Sequence, residues 1–305
     1  MFSSWSSWPC IKYIGYFADS LSAGGIQTIL GYPCRALLAT SLFKIRTLFK
    51  DCITQKDKHV IISLIPWSKT SLGTFWMQEI LGLIRNDGDP SRVQNLGVLE
   101  RPPWIEHECF LKRALALPPP RLLSSHLPFH VFPKSFLHSK AKVIYTMRNP
   151  RDVLVSFYYF AKGCKAFKNL GTLADFMEEF LSGNVLYGSW FDHVKSWIGV
   201  KERPNVFFVT YEELQQVCLA FSVCSGSSCY LAELTKLHSL RKMKENKMLQ
   251  PSQLPERFFK PMKGIMFRKG ICGDWKNHLT VAQSEHFDHV YREKMQGVGL
   301  TFPWD

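Results

Sequence analysis

The twelve residues from Tyr145 to Ser156, YTMRNPRDVLVS, constrain the fold more than any other stretch of the chain. They follow Ala141-Lys142-Val143-Ile144-Tyr145, which has the length and apolar character of a short buried strand. After the turn at Arg148-Asn149-Pro150, the run from Arg151 to Ser156 opens a helix. Pro150 suits an early helical position, where a missing N–H costs no hydrogen bond. Arg148 and Arg151 therefore stand at a strand-to-helix junction, where the N–H groups of the helix start also point. Guanidinium groups and free N–H groups together make a natural phosphate site. The same residues would equally serve a surface turn with its arginines solvated or paired to a neighbouring acid.

Other stretches repeat the strand-turn-helix plan. His59 to Ile65, HVIISLI, is a continuous apolar run of the kind a central parallel strand needs. The segment Pro66 to Trp76 follows, holding Lys69, Ser71, Gly73 and Thr74, and helical spacing then runs from Met77 to Leu83. A strand, a glycine-containing loop and a helix in that order form a phosphate-cradling unit. The pattern GxxxxGK[ST] is absent, so an ordinary nucleoside-triphosphatase is not indicated. Arg121 to Pro128 is a short strand ending in His126. A lone histidine is usually structural, but a strand end in an α/β pattern is where functional side chains sit. His130 completes an HxxxH, yet Pro128 between the two argues against a helical metal pair. Asn205 to Tyr211 is the next strand, with a helix starting at Tyr211, and Trp190 to Trp197 is a helix packing aromatic residues into the core. Residues 100–120, with two proline clusters, are expected to be an irregular surface connection. Ala36 to Phe49 has the spacing of an amphipathic core helix, and residues 1–35 carry only weak periodicity.

The expected fold class is α/β: a single domain over residues 1–305, with a central parallel sheet flanked by helices and a phosphate-binding strand-loop-helix. A net charge of +13 suits an anionic ligand, nucleic acid or an acidic membrane surface. Lys and Arg are scattered, which favours a highly charged nucleotide over a nucleic-acid groove. Nine cysteines, an odd number without a CxxC pair, argue for reduced thiols in the cytoplasm over a disulfide framework or zinc site. The N-terminal residues lack the basic start and apolar core of a signal peptide. No run approaches the roughly 18 apolar residues of a membrane helix, so a soluble protein without a membrane span is expected.

The motif RNPRDVLVS closely resembles the 3′-phosphate-binding segment of the cytosolic sulfotransferases. Arg268-Lys269-Gly270 running into Gly273-Asp274-Trp275-Lys276-Asn277 is similar to a second element of that family, and Thr301 to Asp305 to its chain end. The likeness is greatest to the hydroxysteroid branch and its cholesterol-sulfating type, and covers most of residues 59–211 and 237–305. Two departures stand out. The family's loop reads Pro-Lys-Ser-Gly-Thr-x-Trp, whereas here Pro66 and Trp76 enclose nine residues, four more than that segment carries. Residues 217–236 diverge, with Val217 to Tyr230 matching nothing in the family.

The resemblance implies transfer of a sulfuryl group from 3′-phosphoadenosine 5′-phosphosulfate (PAPS) to the hydroxyl of a steroid, sterol or other hydrophobic alcohol, without a metal. It gives His126 the role of base, and Lys69 that of stabilising charge on the leaving group. Ser71, Gly73 and Thr74 would assist Lys69. Arg148, Ser156, Arg268, Lys269 and Gly270 would bind the 3′-phosphate, and Trp76 and Tyr211 the adenine. Ser239 and Met243 would lie near the nucleotide. Trp104, Phe157, Tyr158 and Tyr159 are consistent with a flat apolar acceptor. Lys276 to Glu285 fits a KxxxTVxxxE pattern that implies a homodimer contact, with Thr280 also expected as a helix cap. The alternative is a catalytically impaired relative that binds nucleotide or dimerises without turnover.

Overall fold

The computed structural model describes residues 60–65, 72–86, 89, 91–97, 100–106, 108–165, 167, 169–216, 243, 245–249 and 268–305. In chain order these form β1 (Val60–Leu64), α1 (Leu72–Arg85), a single helical turn at Ser91–Gln94, α2 (Glu108–Ala116), β2 (Arg121–Ser125) and β3 (Lys142–Met147). They continue with α3 (Pro150–Gly163), α4 (Leu173–Ser182), α5 (Trp190–Ile198), β4 (Val206–Thr210) and α6 (Val281–Met295). The four strands make one sheet in the order β2-β1-β3-β4. Every pairing is parallel, as the apolar runs predict.

The register decides where function can sit. Leu64 pairs with both Ser125 and Tyr145, and Met147 with Thr210. The carboxyl ends of all four strands therefore lie along one edge. The chain leaves β1 toward β2 on one side and later returns to β3 on the other, which opens a crevice beyond the strand ends, the usual ligand site of such sheets.

Local chemistry explains the helix starts. At α3 the Asn149 side chain accepts from the Arg151 N–H at 3.0 Å, and Pro150 takes the first helical position. At α4 Thr172 and Asp175 form a reciprocal capping box, and Gly183 closes the helix at φ 83°. A Cβ at Gly183 would approach Ser189 Cβ to 3.0 Å, so both the turn and the close packing require glycine. Thr280 caps α6 in a second box with Gln283, as expected.

The main core covers one face of the sheet, while Ile61, Leu122, Ile144 and Val209 on the other face pack with Met77 and Leu81. Ile62, Leu64, Val143 and Tyr145 pack with Leu154, Phe180, Trp190, Phe191 and Trp197, all fully buried. Trp190 and Trp197 confirm the structural role expected for the 190–197 helix.

Residues 100–120 correct the expectation of an irregular surface connection. They contain α2, and residues 103–105 run beside β2, with Ser124 N–H donating to Pro103 O at 2.9 Å and Ile105 N–H to Ser124 O at 3.1 Å. Arg101 and Glu106 are buried. The helix after the β1 loop also begins earlier than its spacing indicated, at Leu72 instead of Met77. Gly73, Thr74 and Trp76 therefore belong to its opening turns and not to the loop.

Candidate functional site

His126 is the first residue beyond β2, buried to 1% exposure. Its surroundings are built from three elements. The carboxylate of Glu106 accepts from the His126 backbone N–H and, at 2.9 Å, from the Ser125 hydroxyl. The same oxygen stands 3.7 Å from His126 Nδ1. Tyr187, from the connection before α5, stacks on the imidazole with 5.7 Å between centroids, and Trp104 meets it edge-on at 5.5 Å. From α5, His193 Nε2 lies 3.1 Å from the His126 carbonyl while its Nδ1 lies 2.8 Å from the Tyr145 hydroxyl. Trp197 Nε1 donates to the neighbouring Leu127 carbonyl at 3.0 Å.

Burial sets the protonation of this cluster. Complete burial lowers His193 to about 3, so its ring is neutral at physiological pH. A neutral His193 that donates from Nε2 to a carbonyl must accept at Nδ1, so the Tyr145 hydroxyl donates to it. Burial alone would raise the Glu106 carboxyl; the His126 side chain and N–H more than offset this and hold it below its ordinary value. Glu106 is thus a buried anion beneath His126.

A second cluster lies beyond β3 and β4. Arg148 donates to Ile271 O at 2.9 Å, stands 3.6 Å from Asp152, and lies over the Tyr211 ring at 4.4 Å. The buried Asp152 accepts from the Gly273 and Trp275 N–H groups at 2.7 and 3.0 Å, which pins the 268–278 segment against α3. Gly270, at φ 72°, offers its carbonyl to the Tyr211 hydroxyl at 3.1 Å and to Gln215 Nε2 at 3.2 Å. Arg268 and Lys269 both bond to Asp274, Lys269 at 2.8 Å. Burial opposes charge on Asp274, but hydrogen bonds from Lys269, Asn277 and Arg268 hold its carboxyl well below the usual carboxylate range.

The geometry brings together Arg148, Arg268, Lys269 and Gly270, four of the residues assigned to the 3′-phosphate. Ser156 follows on α3, half-buried. Trp76 and Tyr211 meet edge to face, with centroids 5.0 Å apart, and Met243 packs in the same buried cluster with Phe75 and Leu249. Gly73 and Thr74 are buried at the start of α1. Lys69, Ser71 and Ser239 lie outside the described residues, as do the 217–236 segment and the possible helix at 36–49.

Two expectations are revised. Arg151 turns away from Arg148: its guanidinium bonds to Asp288 and lies 5.0 Å from the Trp275 ring and 5.3 Å from the Phe287 ring. The aromatic residues named for an acceptor also divide. Phe157 and Tyr158 pack on Phe176 within the core, and the Tyr159 hydroxyl pairs with His278 Nδ1 at 3.2 Å, which leaves Trp104 beside His126. Sequence reading missed Glu106, Tyr187, Asp152 and Asp274 as site residues. Asp152 and Asp274 sit inside the two recognised motifs, so only their roles were hidden. Glu106 and Tyr187 carry no local signal.

Comparison with known proteins accounts for this arrangement. The family model described as "Sulfotransferase domain" matches residues 57–299. A mouse protein, sulfotransferase 2B1, is 45% identical over 267 residues, covering 85% of this chain and 77% of the relative. A guinea-pig (Cavia porcellus) 3-beta-hydroxysteroid sulfotransferase is 43% identical over 265 residues, covering 84% and 90%. Among solved structures, mouse sulfotransferase SULT7A1 complexed with PAP superposes with a TM-score of 0.62 at 26% identity, covering 82% of this chain and 90% of that one. A family domain spanning most of the chain, relatives above 40% identity and a shared fold give one answer: the chain belongs to the sulfotransferase family.

Proposed function

We propose that the protein transfers a sulfuryl group from PAPS to the hydroxyl of a steroid or related hydrophobic alcohol. The observation that carries this is the placement of His126 and of the Arg148-Arg268-Lys269 cluster along one edge of a single parallel sheet. The names of the 2B1 and 3-beta-hydroxysteroid relatives, and the PAP of the SULT7A1 complex, support donor and acceptor class. They also favour an active enzyme over an impaired relative.

The residues present fit the nucleotide. Three cations converge on two acids, Asp152 and Asp274, and on the Ile271 carbonyl, a donor set suited to a dianionic phosphate. Arg148, Arg268, Lys269, Gly270 and Ser156 would hold the 3′-phosphate, and Trp76, Tyr211, Ser239 and Met243 the adenosine end. PAPS supplies the sulfuryl group when bound. His126 takes the proton of the acceptor hydroxyl, which makes its oxygen the nucleophile. Lys69, with Ser71, Gly73 and Thr74, would neutralise charge arising on the leaving phosphate side. Trp104 and Tyr187 shield the imidazole and offer flat apolar surface to the acceptor.

The homodimer through Lys276 to Glu285 is part of the same proposal, supported by Val281, a large apolar side chain left 76% exposed at the start of α6. Among the described residues no helix is long and apolar enough to cross a membrane and no metal-binding cluster occurs. A cytoplasmic location is proposed from the cysteine usage. Incubating the purified protein with PAPS and a 3β-hydroxysteroid tests the reading. The steroid sulfate ester is the expected product; a folded protein that binds 3′-phosphoadenosine 5′-phosphate (PAP) yet transfers nothing to any hydrophobic alcohol would overturn it.

A further inference from the structure

We infer that Glu106 is a positioning residue for the transfer reaction, acting through His126. This deepens the proposed function and rests on it. Glu106 is 5% exposed and reaches the end of β2 from a separate segment of chain. One of its oxygens accepts from both the His126 N–H and the Ser125 hydroxyl and faces Nδ1 of the ring. Among the described residues its other oxygen, Oε2, has no hydrogen-bond partner. A buried carboxylate that retains acceptor capacity beside an imidazole is expensive unless the ring uses it.

Its use follows from the chemistry. A carboxylate can only accept, so it favours the ring tautomer that carries the proton on Nδ1. That leaves the lone pair on Nε2, where an acceptor hydroxyl can deliver its proton. Once Nε2 is protonated the ring is a cation, and Glu106 is the anion beside it. Among the described residues, the other groups facing His126 in these contacts carry no negative charge. Tyr187 and Trp104 present ring faces and edges, and neutral His193 reaches the backbone carbonyl and not the imidazole.

The segment carrying Glu106 is held in place by its own contacts. Arg101 pairs with Glu79 of α1, both side chains being 2% exposed. Gln78 of α1 donates to the Ser124 hydroxyl at 2.9 Å and to Pro102 O at 3.4 Å. Glu106 is thereby fixed by α1, the helix that begins where the β1 loop ends. The substitution Glu106→Gln keeps the shape and an acceptor for the His126 N–H, but removes the charge. Its amide can donate to Nδ1 and so place the ring proton on Nε2, the wrong nitrogen for a base.

The test is a double-mutant cycle of Glu106→Gln and His126→Ala, with kcat, acceptor KM and PAP affinity measured on each protein. Glu106→Gln is expected to lower kcat on the order of a hundredfold, the scale of general-base catalysis, with KM and PAP affinity within about twofold of the parent. In the His126→Ala background it should cost nothing further. Parent-like kcat in Glu106→Gln, beside a dead His126→Ala, overturns the inference and leaves the proposed function standing. Undiminished turnover in His126→Ala overturns the proposed function itself. If Glu106→Gln loses PAP binding as well, Ser125→Ala, which removes one donor to the carboxylate without emptying the site, replaces it. There a kcat lowered several-fold at unchanged PAP affinity supports the role, and parent-like kcat overturns it.

Discussion

Arg148 and Arg151 stand three positions apart in one motif, yet the structure gives them different work. Arg148 faces Tyr211 and the 268–278 segment, while Arg151 is half of a pair with Asp288 that fastens α3 to α6. Variants of the Arg148 cluster and of Arg151 should therefore fail differently. Arg268→Ala, taken from the same cluster as Arg148, is expected to weaken PAP binding at least tenfold. It should leave the affinity for a nucleotide lacking the 3′-phosphate nearly unchanged, because a charge-assisted hydrogen bond to that phosphate is what is lost. Arg151→Ala should keep the preference for the 3′-phosphate and instead lower stability by about 1–3 kcal/mol, since it strips the partner from Asp288 and the aromatic contacts of α3 with Phe287 of α6 and with Trp275 of the 268–278 segment. Calorimetric titration and chemical denaturation of both variants decide the matter. A loss of 3′-phosphate preference in Arg151→Ala would contradict the assignment. Sequence alone could not make this distinction, because the direction of each guanidinium depends on Asp288 and Tyr211, remote in the chain.

At the scale of elements, α5 supports the end of β2 through two buried hydrogen bonds, from Trp197 to Leu127 O and from His193 to His126 O. The second has a pH signature. His193 is lowered by burial to about 3, against an ordinary value near 6.5. Between those values the unfolded chain binds a proton that the folded one refuses, so stability rises with pH through this window and is lost as pH falls from about 6.5. Each pH unit inside the window is worth roughly 1.4 kcal/mol from this group. His130, also lowered by burial, adds in the same sense, and the lowered carboxyl of Glu106 adds to it only below the ordinary carboxyl value of 4.5, outside the range from pH 7 to 5. Denaturation between pH 7 and 5 is expected to show a falling stability whose slope is shallower in His193→Gln. Equal slopes in the two proteins would mean that His193 is protonated in the fold. The aromatic spacing of 190–197 made this helix legible from the sequence. Its grip on the His126 carbonyl was not, because that contact joins residues 67 positions apart.

For the whole molecule, the parallel sheet was readable because β1, β3 and β4 are continuous apolar runs that must be covered on both faces. The motif at 145–156 marked the turn at which β3 becomes α3, and Asn149 and Pro150 supplied the chemistry of that helix start. What could not be read is the segment before β2. Its prolines suggest exposed loop, but Arg101, Ile105 and Glu106 are buried by bonds to α1 and β2 that no local pattern announces. The carboxyl edge of the sheet then assembles a histidine over a buried acid at one end and a cationic cluster at the other. In the proposed reaction nucleotide capture and proton removal are separate tasks of that edge, and removing one should leave the other.

The most direct measurement is steroid sulfation by His126→Ala beside the parent protein, with PAP affinity determined calorimetrically on the same samples. The structure predicts parent-like PAP binding and turnover reduced by 10²-fold or more, the scale of a lost general base. Turnover that survives the substitution would contradict the account at its centre.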